Sequence, residues 1–120
     1  MYGLKKNIDL SFLSGREVTQ VAIGVYQIQF HFDEDVAIYV EGEFSYFDGK
    51  DELHWKPEPG TSNTAGRTAA LLATTIDRFE AHEDGTLRLF FSNGHQLTIA
   101  DSSNEYESYQ ITCPGRYIVV

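Results

Sequence analysis

Apolar and polar residues alternate with a period of two in the second half of the chain, which is the pattern of β-strands. Residues 87–91 place three apolar side chains on one face, and residues 97–99 continue that face. Between them, Asn93 and Gly94 favour a two-residue type I′ turn. With a further strand over 76–81, the sequence predicts an antiparallel meander in this half.

The first half of the chain carries a similar pattern. Strands are predicted at residues 18–23, 28–32 and 36–40, with an acidic turn at 33–35 in place of Asn-Gly. Each half then ends on a Glu-aromatic-x-x-aromatic stretch, "EFSYF" at 43–47 and "EYESY" at 105–109. The repeated order favours an internal duplication.

A short apolar turn precedes each set of strands. Residues 9–15 start with Asp9 as a candidate cap, and residues 64–74 are rich in alanine and leucine, with Thr64 as a candidate cap. The connection 48–63 holds two prolines and a short candidate edge strand, "ELHW". Connections of this length often carry function.

These elements predict an α+β fold that is mostly antiparallel β, as one domain over residues 1–120. It contains two pseudo-repeats, about 9–47 and 64–120, each a short helical turn followed by three or four strands. A small sheet with one apolar face is not stable alone, so the two repeats are expected to share one core.

The chain is acidic, and most of its net charge lies in one segment. The chain of 120 residues has a net charge of −9, and residues 33–59 hold nine acidic residues against two lysines, a net of −7. This argues against nucleic acid, which requires clustered basic residues. The segment is either a solvated face that protects an edge strand or a surface that attracts a basic protein partner.

The single cysteine, Cys113, indicates a reducing compartment, and neither a signal peptide nor a membrane span is recognisable. We therefore expect a cytoplasmic protein with no membrane partner. The four histidines lack metal-ligand spacing, and no Gly-x-Ser-x-Gly occurs. The sequence predicts no catalytic residue, metal ligand or cofactor and favours a protein that is not an enzyme.

Aromatic residues at the ends of the two repeats and in the long connection form the candidate binding surface. Tyrosine and tryptophan suit recognition because they are both apolar and hydrogen-bonding. Glu43 and Glu105 hold equivalent places in the repeats, and they are a candidate carboxylate pair for acid–base chemistry if the repeats bring them together. Otherwise each is an outward strand residue or a turn acid. The alternative is that the rings pack in the core. The candidate residues are Glu43, Phe44, Phe47, Trp55, Glu105, Tyr106 and Tyr109.

The stretches "VTQVAI", "DGTLRLFFSNGHQLTI", "YESY" and "CPGRYIVV" together resemble a family of small bacterial proteins of unknown function. That family's pattern has Val-Thr-Gln-Val, Asp-Gly-Thr-Leu with a following Phe-x-x-Gly, and Tyr-Glu-x-Trp. Tyr109 stands where the family has tryptophan, and the family's glycine-rich tail is missing. The resemblance implies the fold class and no activity.

Three functions remain open at this point. The first is a non-enzymatic protein-binding module, immunity- or inhibitor-like, whose acidic surface meets a basic partner. The second is a small-ligand binder or an enzyme with a pocket between the two halves. The third is a structural homo-oligomer, in which the apolar "YIVV" at 117–120 pairs with another chain.

Overall fold

A computed structural model of the chain describes residues 8–101 and 108–120. Within these residues the chain is mostly antiparallel β, as predicted. One short helix, α1 (Ser62–Arg67), and two 3₁₀ turns (Ser11–Leu13 and Thr68–Leu71) accompany the strands. The strands are β1 (Val18–Ile23), β2 (Ile28–Phe32), β3 (Ala37–Val40), β4 (Phe44–Phe47), β5 (Glu52–Trp55), β6 (Ile76–Ala81), β7 (Leu87–Phe91), β8 (Gln96–Ile99), β9 (Tyr109–Cys113) and β10 (Arg116–Val119).

The strands form two five-stranded sheets. The first sheet has the order β1-β2-β3-β9-β10, and the second has the order β5-β4-β8-β7-β6. Each sheet therefore combines a three-stranded meander from one half of the chain with a two-stranded hairpin from the other half. Because the hairpins are exchanged in this way, neither half of the chain makes up a sheet by itself.

One core lies between the sheets, and the period-two alternation supplies it. Phe30 of the first sheet meets Phe44 of the second sheet edge to face, with ring centroids 5.9 Å apart, and Phe44 stacks on Trp55 at 5.2 Å. All three side chains are buried in the same apolar cluster. Burying one such side chain contributes about 2–3 kcal/mol, and the Phe30–Phe44 contact joins the two sheets.

The loop geometries differ from the prediction at 93–94. Gly94 donates its N–H to the carbonyl of Phe91 (2.9 Å) and has a φ of +86°, whereas Asn93 keeps a negative φ. This is a type I turn closed by a left-handed glycine, so the predicted type I′ turn is wrong. The two positive φ angles that a type I′ turn requires occur instead at Glu34 and Asp35, with φ of 58° and 57°. That loop has no glycine, so two acidic residues adopt the left-handed conformation.

The predicted helix over 64–74 is divided. The α-helical turn ends at Arg67, the chain continues as a 3₁₀ turn to Leu71, and Ala73 then adopts a left-handed φ of 67°. In the first turn, the capping residue is Leu10, and Asp9 lies one residue before it, where its carboxylate accepts the N–H of Ser11 at 3.0 Å. The longest helix in the described part of the chain has six residues, too few to cross a membrane.

Candidate functional site

The outer face of the second sheet carries the most varied chemistry among the described residues. Strand register aligns its outward side chains in two rows that cross all five strands. We call it the charged face. It consists of Arg78, Phe90, Gln96, Phe47 and Glu52 in one row, and of Glu80, Arg88, Thr98, Ser45 and His54 in the other.

A shallow depression of about 300 Å³ lies on the charged face. Arg88 is fixed in it, because its Nε donates to Thr98 Oγ1 at 3.1 Å and its guanidinium lies 3.9 Å from the Glu80 carboxylate. Glu52 and the ring of Phe47 line the same depression. The depression thus offers a cation, an anion, hydroxyl groups and an aromatic surface within a small area, which suits recognition of a mixed polar surface.

Ser45 and His54 form a hydrogen-bonded pair at the depression. Ser45 Oγ lies 2.9 Å from His54 Nδ1, across the β4–β5 pairing. A serine beside a histidine is part of what nucleophilic catalysis requires, and the remainder is a set of free donors for the oxyanion. Strand β4 is paired on both sides, so the backbone N–H groups around Ser45 are used in the sheet. The pair therefore orders this part of the surface, and β4 itself supplies no free backbone N–H for an oxyanion.

Some carboxylates of the acidic segment, residues 33–59, form bonds that stabilise the fold, and others are exposed to solvent. The N–H groups of Asp51 and Lys50 donate to Asp48 and lower the pKa of its carboxyl, and Arg67 adds a 2.5 Å ion pair. The Asp48 side chain is only 11% exposed, so it stabilises the β4–β5 turn. Glu43 lies 3.8 Å from the ammonium of Lys56. Asp51, Glu52 and Glu58 are exposed and form no ion pair within the described residues.

The structure separates the predicted surface residues. Phe44, Trp55 and Tyr109 are 2%, 1% and 0% exposed and belong to the core, as in the alternative considered above. Their rings fill the core between the two sheets. Glu43 and Phe47 are half-buried near or on the charged face. Glu105 and Tyr106 lie outside the described residues.

Tyr109 and Tyr46 use their hydroxyl groups inside the protein. Tyr109 Oη donates to the carbonyl of Gly85 at 2.7 Å, which ties β9 of the first sheet to the β6–β7 turn of the second. Burial is the main reason that the pKa of Tyr109 is raised above its ordinary value. Tyr46 Oη contacts His95 Nδ1, and burial, followed by the negative charge of Asp48, raises the pKa of Tyr46 to about 12.

Sequence reasoning did not single out Ser45, Arg88, Gln96 and Thr98. Each is a polar residue at an outward position of a predicted strand, and no local motif marks it. The signal that could have found them is the pairing register, because only pairing places Arg88, Thr98 and Ser45 in one row. Cross-strand neighbours on one face lie about 5 Å apart and can act together.

Further cavities lie elsewhere in the described part of the chain. A cleft of about 660 Å³ includes Arg16, Arg116 and Cys113, but Arg16 lies 3.7 Å from the Asp33 carboxylate and Arg116 donates to the Asp9 carbonyl at 2.7 Å. A smaller cavity of about 250 Å³ lies between residues 24–25 and 58–62. No three metal-ligating side chains come together in residues 8–101 and 108–120.

Two antiparallel sheets packed over one core, with a shallow site on an outer face, define a small two-layered β protein. The chain belongs to DUF6188, a family of unknown function whose sequence model matches residues 10–120. The family membership confirms the resemblance to a domain of unknown function. Comparisons with curated proteins and with solved structures found no match.

Proposed function

We propose that this protein is a non-enzymatic protein-binding module that recognises a basic partner, as immunity and inhibitor proteins do. The observation that carries the proposal is the edge of the second sheet. There, Asp51, Glu52 and Glu58 are exposed acids on or beside edge strand β5. The aromatic ring of Phe47 and the depression lie directly beside Glu52.

An edge strand presents unpaired backbone N–H and C=O groups along one side. Carboxylates beside that edge repel an acidic chain, including a second copy of this protein with its net charge of −9. They attract lysine and arginine, and the attraction extends over about 8 Å at physiological ionic strength. A basic loop or strand of the partner thus combines favourable charge with free backbone groups, which speeds association and selects the partner.

Native mass spectrometry of the tagged protein, captured from a lysate of its host at low and then high salt, tests this function. The variant Asp51→Asn/Glu52→Gln removes two charges at the edge. The control Asp77→Asn/Glu83→Gln removes two exposed charges elsewhere. We expect a stoichiometric partner that high salt releases, that the control retains and that the edge variant loses. Equal retention by both variants would overturn the proposed surface.

We also propose that the two halves descend from one duplicated unit. β1 and β6 share the burial pattern and a register shift, between Val18 and Gln20 and between Ile76 and Arg78. If the halves are duplicates, the strand pairing makes Phe44 of β4 the counterpart of Tyr109 of β9. Each of these two residues pairs with the last residue of the three-stranded meander in its sheet. The sequence comparison matched Phe47 with Tyr109 instead.

The residue that follows the second strand of each meander, β2 or β7, accepts an equivalent hydrogen bond through its side chain. Asp33 accepts the N–H of Glu17 through its side chain at 2.9 Å, and Ser92 accepts the N–H of Thr75 through its hydroxyl at 3.1 Å. If the positions are equivalent, Asp33→Ser should melt close to wild type, whereas Asp33→Ala should cost about 1 kcal/mol. Equal losses for the two variants would argue against the equivalence.

The half-buried thiol of Cys113 fits a reducing compartment, and we propose a cytoplasmic location. Fractionation of the host cells tests this, and recovery outside the cytoplasm would refute it.

A further inference from the structure

The outer face of the first sheet differs from the charged face in one respect, the absence of charge. Register aligns ten outward side chains in two rows across the five strands. We call it the uncharged face. It consists of Gln20, His31, Ala37, Thr112 and Tyr117 in one row, and of Ala22, Gln29, Tyr39, Gln110 and Val119 in the other.

None of these ten residues is Asp, Glu, Lys or Arg. The charged face has four such residues at its ten positions, namely Glu52, Arg78, Glu80 and Arg88. Charged residues make up 22% of the whole chain. Solubility alone favours charge on an outward sheet face, as the second sheet has it. The uncharged face therefore calls for a ligand that has no charge of its own.

The amide of Gln29 on this face is held by His31 and by two residues beside the face, Gln27 and the carboxylate of Glu41. Gln29 Nε2 donates to Gln27 Oε1 at 2.7 Å, and Gln27 Nε2 donates to Glu41 Oε1 at 3.1 Å. Gln29 Oε1 lies 2.9 Å from His31 Nε2, and the His31 ring meets the Tyr39 ring edge to face at 5.7 Å. Side chains fixed in this way lose little conformational freedom when a ligand binds.

Other hydrogen-bonding groups of the face are open. Within the residues that the structure describes, the side chains of Gln20, Gln110 and Thr112 form no hydrogen bond. Tyr117, on edge strand β10, is 62% exposed. An apolar partner would bury these amides and hydroxyls without partners, which is unfavourable. A ligand rich in hydroxyl groups would satisfy them and could stack on the tyrosine ring.

We propose that the uncharged face binds a neutral polysaccharide. Such a chain matches the face in charge, offers many donors and acceptors, and presents apolar C–H surfaces to Tyr117. Five strands span about 19 Å at the usual strand spacing, which accommodates a short run of sugar units. A polyanionic glycan would be repelled by the net charge of −9. This site is separate from the β5 edge and does not depend on the proposed protein partner.

Affinity electrophoresis in native gels tests the proposal. The gels contain glycogen, a soluble β-1,3-glucan, cellulose ether, mannan, galactomannan or xylan. The variants Tyr117→Ala and Gln110→Ala alter the face. Tyr26→Ala is the matched control, because Tyr26 is 65% exposed and lies in the β1–β2 turn, off the face. Unchanged melting temperatures would show that all three variants fold.

We expect at least one polysaccharide to retard the wild type and Tyr26→Ala. Tyr117→Ala and Gln110→Ala should each weaken that binding by about tenfold, through loss of ring stacking or of hydrogen bonds. Retardation that is equal in all variants would place the binding elsewhere. The absence of retardation in all six gels would overturn the proposal, as would a dimer in light scattering that Tyr117→Ala dissociates, because a second copy would then cover the face.

Discussion

The buried hydroxyl group of Tyr109 allows a direct test of one hydrogen bond that joins the two sheets. Replacement of Tyr109 by Phe keeps the buried ring and removes only the group that donates to the Gly85 carbonyl at 2.7 Å. Tyr109 is 0% exposed, and Gly85 is also buried. The carbonyl would therefore lose its side-chain donor in a place that water does not readily reach.

The magnitude follows from that burial. A buried acceptor left without its partner costs about 1–3 kcal/mol, more than the roughly 1 kcal/mol of an average hydrogen bond. We expect Tyr109→Phe to lower the free energy of unfolding by about 2 kcal/mol. For a chain of this length, that corresponds to a drop in Tm of roughly 6–10 °C.

Tyr46→Phe is the matched control, since it also removes one hydroxyl from a buried ring. Its partner, His95, is half-buried and can turn to water when the hydroxyl is lost. We expect a cost of about 1 kcal/mol or less. Urea unfolding of both variants, followed by tryptophan fluorescence from Trp55, gives the two values. Equal costs, or no cost for Tyr109→Phe, would refute the reasoning, because the Gly85 carbonyl would then find a substitute donor.

Three further predictions concern the backbone and the pH dependence. Ala73 is exposed and has a φ of 67°, so Ala73→Gly should stabilise the fold by about 0.5–1 kcal/mol, measured by urea unfolding; a destabilised variant would contradict this. Gly85→Ala should cost more than about 2 kcal/mol, because φ is +97° and the added Cβ would overlap Asp101; a melting temperature near that of wild type would show that the turn can adapt. The pKa of Tyr46 is raised from 10.0 to about 12, so this phenol ionises at a lower pH in the unfolded chain than in the folded protein. The stability that the neutral phenol contributes is therefore complete below pH 10. It is lost as the pH rises toward 12. Thermal melts from pH 9 to 12 should show this loss in the wild type and less of it in Tyr46→Phe, and identical curves would count against it.

The strands could be predicted from the sequence because each depends on local alternation. Residues 28–32 show this clearly, since Ile28, Phe30 and Phe32 are buried while Gln29 and His31 lie on the outer face. The edge strand "ELHW" also forms as predicted and pairs with β4. Turn type was less predictable at 93–94, because the position that takes a left-handed φ depends on which residues pair across the loop.

For two of the candidate aromatic residues, the sequence already indicated that they lie on opposite faces of the sheet. Phe44 and Phe47 are three residues apart on one strand, and side chains three apart on a strand point to opposite faces. Phe44 accordingly lies in the core, 2% exposed, and Phe47 lies on the outer face. Tyr109 points inward because it pairs with Val40, and that non-local register could not be deduced from the residues around Tyr109.

The sequence by itself determined where alternating strands such as β2 and β7 lie, which residues of these two strands face inward, and how much negative charge residues 33–59 carry. These properties depend on neighbours along the chain. Only the tertiary structure decided that the β4–β5 and β9–β10 hairpins are exchanged between the sheets, and therefore which side chains share an outer face. The physical reason is that strand pairing joins residues far apart in sequence. Register alone places Arg88 in one row with Thr98 and Ser45 on one sheet, and Gln29 in one row with Tyr39 and Gln110 on the other.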